Sequence, residues 1–173
     1  RQYPTLAALA AAPPEDVFKL WEGLGYYSRC RNLLAAAQQI MTTYNGKFPA
    51  DYNQIIQLKG VGPYTAAAIA SFAFAQPYAV VDGNVIRILA RYFGITTPFD
   101  TAKGKKLFSG LAQQLLDAKQ PGLYNQTIMD FGAIVCKPSA PLCSSCPLQA
   151  TCFAFNNNQI LTLPAKQKKL IKR

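Results

Sequence analysis

Apolar positions along the chain recur at intervals of three and four. Between Ser28 and Tyr44 the residues Leu33, Leu34, Ala37, Ile40, Met41 and Tyr44 share one side of a helical repeat, and Gly46 and Pro49 then stop it. A second helix is expected from Asp51, whose side chain can cap the first turn, to Leu58. Pro63 sits just inside a third, Ala-rich segment that ends near Ala75. Asn84 to Phe93 carries Val85, Ile88, Leu89 and Tyr92 on one face, Leu107, Leu111 and Leu115 repeat at four-residue spacing, and Gly122 to Val135 reads as a further helix. The β-branched run Val80 and Val81 is too short to found a sheet, and no period-2 alternation is sustained. The predicted fold class is all-α.

Length and composition add bounds. With 173 residues and 50% hydrophobic positions, one compact domain or two small lobes sharing a core are expected. The longest apolar runs, Ala7 to Ala12 and Ala66 to Ala70, are far shorter than the roughly 18 residues of a membrane span, so no membrane partner is expected. No secretory-leader pattern is seen. The chain has no histidine, which excludes a Ser-His-Asp triad, a Cys-His pair and any His-containing zinc site. Acid and base work falls to eight carboxylates: Glu15, Asp16, Glu22, Asp51, Asp82, Asp100, Asp117 and Asp130. The formal net charge of +10 suggests a polyanionic partner.

Four of the five cysteines, Cys136, Cys143, Cys146 and Cys152, follow a C-x6-C-x2-C-x5-C pattern among the turn formers Pro138, Pro141 and Pro147. Crowded thiols of this kind point to metal ligation in a reducing compartment, and their spacing alone leaves zinc and a 4Fe-4S cluster equally open. Cys30 stands apart and reads as a small apolar residue of its helix.

Three further segments could carry chemistry. Leu58-Lys59-Gly60-Val61-Gly62-Pro63-Tyr64-Thr65 joins two helical segments through a glycine-rich turn, either a plain connection or a helix-hairpin-helix that offers backbone amides to a DNA phosphate. Asp82, in Val80-Val81-Asp82-Gly83-Asn84-Val85, has a local role as a helix cap, and a second reading as a partly desolvated carboxylate that stabilises positive charge in a transition state. Asp130, between Met129 and Phe131, reads as a structural ion-pair partner. Trp21-Glu22-Gly23-Leu24-Gly25-Tyr26-Tyr27-Ser28-Arg29, with Arg31 beyond it, suits a loop that presents rings and cations to stacked bases, or equally a set of core anchors.

The order and spacing of the hairpin, Asp82-Gly83-Asn84 and the four cysteines resemble the helix-hairpin-helix DNA glycosylases that carry an iron-sulfur cluster, and most closely the adenine DNA glycosylase (MutY) family, over nearly all of residues 1–155. The resemblance implies a 4Fe-4S cluster on Cys136, Cys143, Cys146 and Cys152. It implies a partial helical lobe with the hairpin at 1–78, a helical lobe ending in the cluster loop at 79–155 and a basic linker at 156–173. It gives Asp82 the stabilisation of an oxocarbenium-like sugar, sets Asn84 and Tyr64 beside that sugar, and has Gln126 hydrogen-bond the adenine. Tyr26 would be a wedge beside the oxidised guanine, and Arg29, Arg31, Gly60, Val61, Gly62 and Lys137 would meet the DNA backbone.

Tyr64 falls where bifunctional relatives resembling endonuclease III have a lysine nucleophile, so strong lyase activity is not expected. The implied activity is monofunctional hydrolysis of the N-glycosidic bond of adenine opposite 8-oxoguanine or guanine in double-stranded DNA. A monomer in the cytoplasm, associated with a bacterial nucleoid, is expected. The alternatives are a bifunctional glycosylase/lyase acting on oxidised pyrimidines and a non-catalytic DNA-binding iron-sulfur module. In the family the general acid is a glutamate upstream of the segment resembling Arg1 to Leu6, so the chain as given is expected to be an incomplete catalyst without the family's C-terminal domain.

The charge also divides. Lys166, Lys168, Lys169, Lys172 and Arg173 supply +5, leaving 13 basic and 8 acidic residues before them. A cluster with four thiolates would lower the remainder by about two charges.

Overall fold

The computed structural model describes residues 2–167, and all regular structure among them is helical. Arg1 and the basic run Lys168, Lys169, Lys172 and Arg173 lie outside the described residues. The chain forms two compact units, one ending at Ala70 and one beginning at Ser71.

The first unit is built on three consecutive helices, α1 (Leu6–Ala10), α2 (Pro14–Leu20) and α3 (Tyr27–Thr43). Thr5 caps α1 by accepting a hydrogen bond from the Ala8 amide at 3.1 Å, and Pro14 opens α2, where no backbone donor is needed. α3 buries Cys30, Leu34, Ala37 and Ile40, a row with intervals of four, three and three, and both shorter helices pack on it. Ala12, Val17, Cys30 and Leu34 form the centre of this core, with Tyr3, Leu9, Phe18 and Trp21 around it. Cys30 is the small buried residue expected, its thiol 3.9 Å from the Val17 carbonyl.

α4 (Tyr52–Ile55) starts as expected, with the Asp51 side chain accepting from the Asn53 amide at 2.9 Å, but it ends three residues before Leu58. The reason is a side chain from another helix. Gln39 of α3 donates to the Gln57 carbonyl at 3.1 Å and accepts from the Lys59 amide at 3.0 Å, so these backbone groups are satisfied outside a helical ladder. α5 (Pro63–Phe74) then runs on past Ala70.

In the second unit α6 (Gly83–Phe93) packs against α7 (Ala102–Leu115), α8 (Pro121–Ile134) and α9 (Phe153–Asn156). The core holds Val85, Leu89 and Ala90 of α6, Phe108 and Ala112 of α7, Ala154 and Leu163. The leucine repeat of α7 does not mark its inner face: Leu107 and Leu115 are 41% and 39% exposed, whereas Gly104, Phe108 and Ala112 are buried. A Cβ on Gly104 would collide with the Pro98 carbonyl, so this close approach turns the row 104, 108, 112 inward and leaves the leucines about 100° around the helix.

Val80 and Val81 form no strand. Their extended segment is held by two side-chain amides: Asn125 accepts from the Val80 amide at 3.0 Å and donates to the Tyr78 carbonyl at 2.9 Å, while Gln113 accepts from Ala79 and donates to Pro77. Past the core, Phe99 donates to the Ala165 carbonyl and Gln167 donates to the Asp100 carboxylate at 2.9 Å, which ties residues 165 and 167 of the expected linker to the loop before α7.

Candidate functional site

The first unit carries the hairpin and the aromatic loop. Gly60 has φ +76, and a Cβ there would collide with the Asn32 side chain beneath it, so glycine is needed on both conformational and steric grounds. Val61 closes the turn by donating to the Leu58 carbonyl at 3.0 Å, and Gly62 faces open space, with nothing within 4 Å of a Cβ built on it. Tyr64, one residue into α5, is half exposed. In the aromatic loop, Trp21 Nε1 donates to the Gly25 carbonyl at 2.9 Å, and Gly23, Gly25 and Tyr26 all adopt positive φ. Tyr26 is 73% exposed with the Arg29 guanidinium 4.8 Å from its ring centre, while Arg31 is exposed on α3.

The second unit carries the acid and the cysteines. Asp82 takes the predicted cap position: Oδ1 accepts from the Asn84 and Val85 amides at 2.8 Å each, and Oδ2 accepts from Asn84 Nδ2 at 2.8 Å. Asn84 Oδ1 in turn accepts from Arg87 Nη2 at 2.7 Å. Asn84 is also clamped by α8, because a Cβ on Gly132 would stand 2.6 Å from Asn84 Cβ. Gln126 is exposed on α8 and donates to Asp130 Oδ1 at 2.9 Å. Asp130, expected in an ion pair, therefore bonds a neutral amide one helical turn away.

Arg87 and Arg91 went unrecognised in the sequence. They are 8% and 3% exposed. Arg87 donates to the Cys136 carbonyl at 2.6 Å and the Gly132 carbonyl at 2.7 Å, and Arg91 donates to the Lys137 and Pro138 carbonyls at 2.7 and 2.8 Å and to Cys136 Sγ at 3.4 Å. Burial pulls the Arg87 guanidinium below its ordinary range, and the Cys136 thiol opposes that shift. A spacing of four beside apolar positions 85, 88 and 89 is the signal that marks the pair, since a helix face this apolar does not place arginines at random.

All four of the spaced cysteines line one cavity of about 340 Å³, its solvent-facing mouth included, with Val135, Leu142, Phe155 and Ile160 in its apolar wall. Short 3₁₀ turns at Cys143–Ser145 and Gln149–Thr151 bend the chain around it. Lys137, which follows Cys136, is half buried and held through its own carbonyl. Burial pushes the Cys143 thiol up, and the neighbouring Cys136, Cys146 and Cys152 sulfurs add to it. Among the described residues no three His, Cys, Asp or Glu side chains are gathered tightly enough for a single ion. A zinc ion would draw four sulfurs to about 3.8 Å from one another, given Zn–S bonds near 2.3 Å. Four thiols lining one cavity are the donor set of a zinc site or of an iron-sulfur cluster.

Comparison with known proteins accords with this arrangement. Residues 1–114 match the model of the HhH-GPD superfamily base excision DNA repair proteins. The chain is 48% identical over 156 residues to a human adenine DNA glycosylase, covering 89% of this chain and 28% of that protein, and 35% identical over 169 residues to one from Buchnera aphidicola, covering 98% and 48%. It thus spans between about a quarter and a half of the length of these relatives. Among solved structures, a thermostable thymine-DNA glycosylase aligns with a TM-score of 0.83 at 29% identity, covering 90% of this chain and 72% of that one. Endonuclease III in a non-covalent DNA complex aligns with a TM-score of 0.77 at 26% identity, covering 91% and 72%. The chain belongs to the HhH-GPD superfamily of base excision DNA repair proteins.

Proposed function

We propose that this chain is the core of a monofunctional adenine DNA glycosylase that acts on adenine opposite 8-oxoguanine or guanine in double-stranded DNA. The observation that carries the reading is Asp82 at the mouth of α6, with both carboxylate oxygens aimed and held by three hydrogen bonds, in a chain whose relatives are adenine DNA glycosylases. The target base leaves the stack, at lower cost where it is mispaired. As the bond from the sugar to adenine breaks, its electron pair goes to the base, which takes a proton, and water adds to the sugar carbon. Asp82 stabilises the positive charge that builds on the sugar between those events. By the resemblance, Asn84 and Tyr64 take the sugar contacts and Gln126 the base contact. The hairpin Gly60-Val61-Gly62 presents backbone to phosphate, with Arg31 and Lys137 adding charge.

Cys136, Cys143, Cys146 and Cys152, which line one cavity, would hold a 4Fe-4S cluster, a choice over zinc that rests on the resemblance to the iron-sulfur glycosylases. When bound, the cluster supplies a four-thiolate crosslink of the 136–152 loop, which keeps Lys137 in place. The reading includes a monomer working in a reducing compartment, the cytoplasm of a bacterium.

Single-turnover assays on the full-length protein test it. Adenine is released from duplex containing 8-oxoguanine, Asp82→Asn lowers the rate about a hundred- to a thousandfold, and borohydride traps no covalent adduct. Abundant trapped adduct would assign the chain to the bifunctional class. Unchanged release by Asp82→Asn would remove the catalytic role of that residue.

A further inference from the structure

Tyr26 combines features that folding alone does not favour. Its backbone is left-handed, with φ 48 and ψ 49, a conformation in which most residues other than glycine are strained. Its ring is 73% exposed, so burial does little to offset that strain. The loop is nevertheless held at several points. Trp21 Nε1 bonds the Gly25 carbonyl at 2.9 Å, the Leu24 amide donates back to the Trp21 carbonyl at 3.2 Å, and the Tyr26 carbonyl accepts from the Arg29 amide at 2.8 Å. The Arg29 guanidinium then lies 4.8 Å from the Tyr26 ring centre. A planar cation over an aromatic face is attractive, and Arg29 is fixed on the first turn of a 17-residue helix.

We infer that Arg29 is a positioning residue: its guanidinium stacks on the Tyr26 ring and holds it ready, before DNA arrives, to enter the base stack beside the lesion. The inference rests on the DNA reading above and assigns Arg29 a different role from the phosphate contact the resemblance implies. A phosphate contact neutralises charge at any sequence, whereas a stacked Arg29 acts through the ring and is felt where bases are unstacked.

The test uses the whole chain and a duplex with 2-aminopurine next to 8-oxoguanine paired with adenine, whose emission rises when the stack opens. The salt dependence of binding is measured in parallel. With Arg29→Gln the emission rise at saturating protein falls about two- to fivefold, the size set by an exposed cation–π contact, while the slope of log affinity against log salt keeps its parent value. Arg29→Lys recovers part of the signal, since it retains a cation without the planar stack. Tyr26→Ala loses the signal as well, and adding Arg29→Gln to Tyr26→Ala lowers it no further. A salt slope reduced by about one with the emission rise intact would make Arg29 a phosphate contact and overturn the inference. Parent-like emission from Arg29→Gln would overturn it too. If the parent chain itself neither binds nor opens the stack, the underlying DNA reading fails, a result distinct from both.

Discussion

Arg87 joins the cap of α6 to the start of the cysteine loop through one guanidinium, which reaches Asn84 Oδ1, the Gly132 carbonyl and the Cys136 carbonyl. Replacing it by methionine leaves these acceptors without their donor inside the unit. The expected loss is about 2–4 kcal/mol of stability, measurable as a lowered urea midpoint, because unmatched buried polar groups keep their full desolvation cost. Gly132→Ala addresses the same junction by a different route. Its Cβ would press on Asn84 Cβ at 2.6 Å, so overpacking of about 1–3 kcal/mol is expected, with Asn84 displaced from Asp82. At this scale the cap role of Asp82 was readable, since an Asp before Gly-Asn at a helix start needs only local geometry. The Arg87 network was not, because Gly132 and Cys136 lie more than forty positions away and no local rule links them.

Among elements, α7 shows how periodicity can locate a helix and still misplace its buried face. Leu107, Leu111 and Leu115 predict a helix in the right place, but Phe108 is 1% exposed and fills the core. Phe108→Ala is expected to cost about 3–5 kcal/mol and Leu107→Gln less than about 0.5, a contrast that thermal unfolding of the two variants checks. What decides the face is the contact of Gly104 with Pro98, a property of the loop before the helix. α3 governs the hairpin in the same manner: Gln39 shortens α4, and Asn32 underlies Gly60. Gln39→Leu removes both bonds and should speed hydrogen exchange at the Lys59 amide about fivefold or more, as expected for a lost contribution near 1 kcal/mol. Unchanged exchange there would mean that the hairpin holds its shape without α3.

For the molecule as a whole, charge and metal are the quantities to measure. The protein as purified is expected to be brown and to contain about four irons and four sulfides per chain, whereas stoichiometric zinc would replace the cluster assignment. Removing the metal with a chelator should loosen the 136–152 loop, read as lost exchange protection there, while α3 in the other unit keeps its own. The sequence by itself determined the helical class, the Asp51 and Asp82 caps, the turn glycine at position 60 and the set of four cysteines. Each of these depends on residue type and short spacing. Tertiary structure decided which face of α7 is buried, where α4 stops, what holds the segment before Asp82, and which cations stand beside the thiols. Those outcomes follow from side-chain amides, guanidinia and close backbone approaches between segments distant in the chain, and a pattern along one segment carries no record of its partner in space.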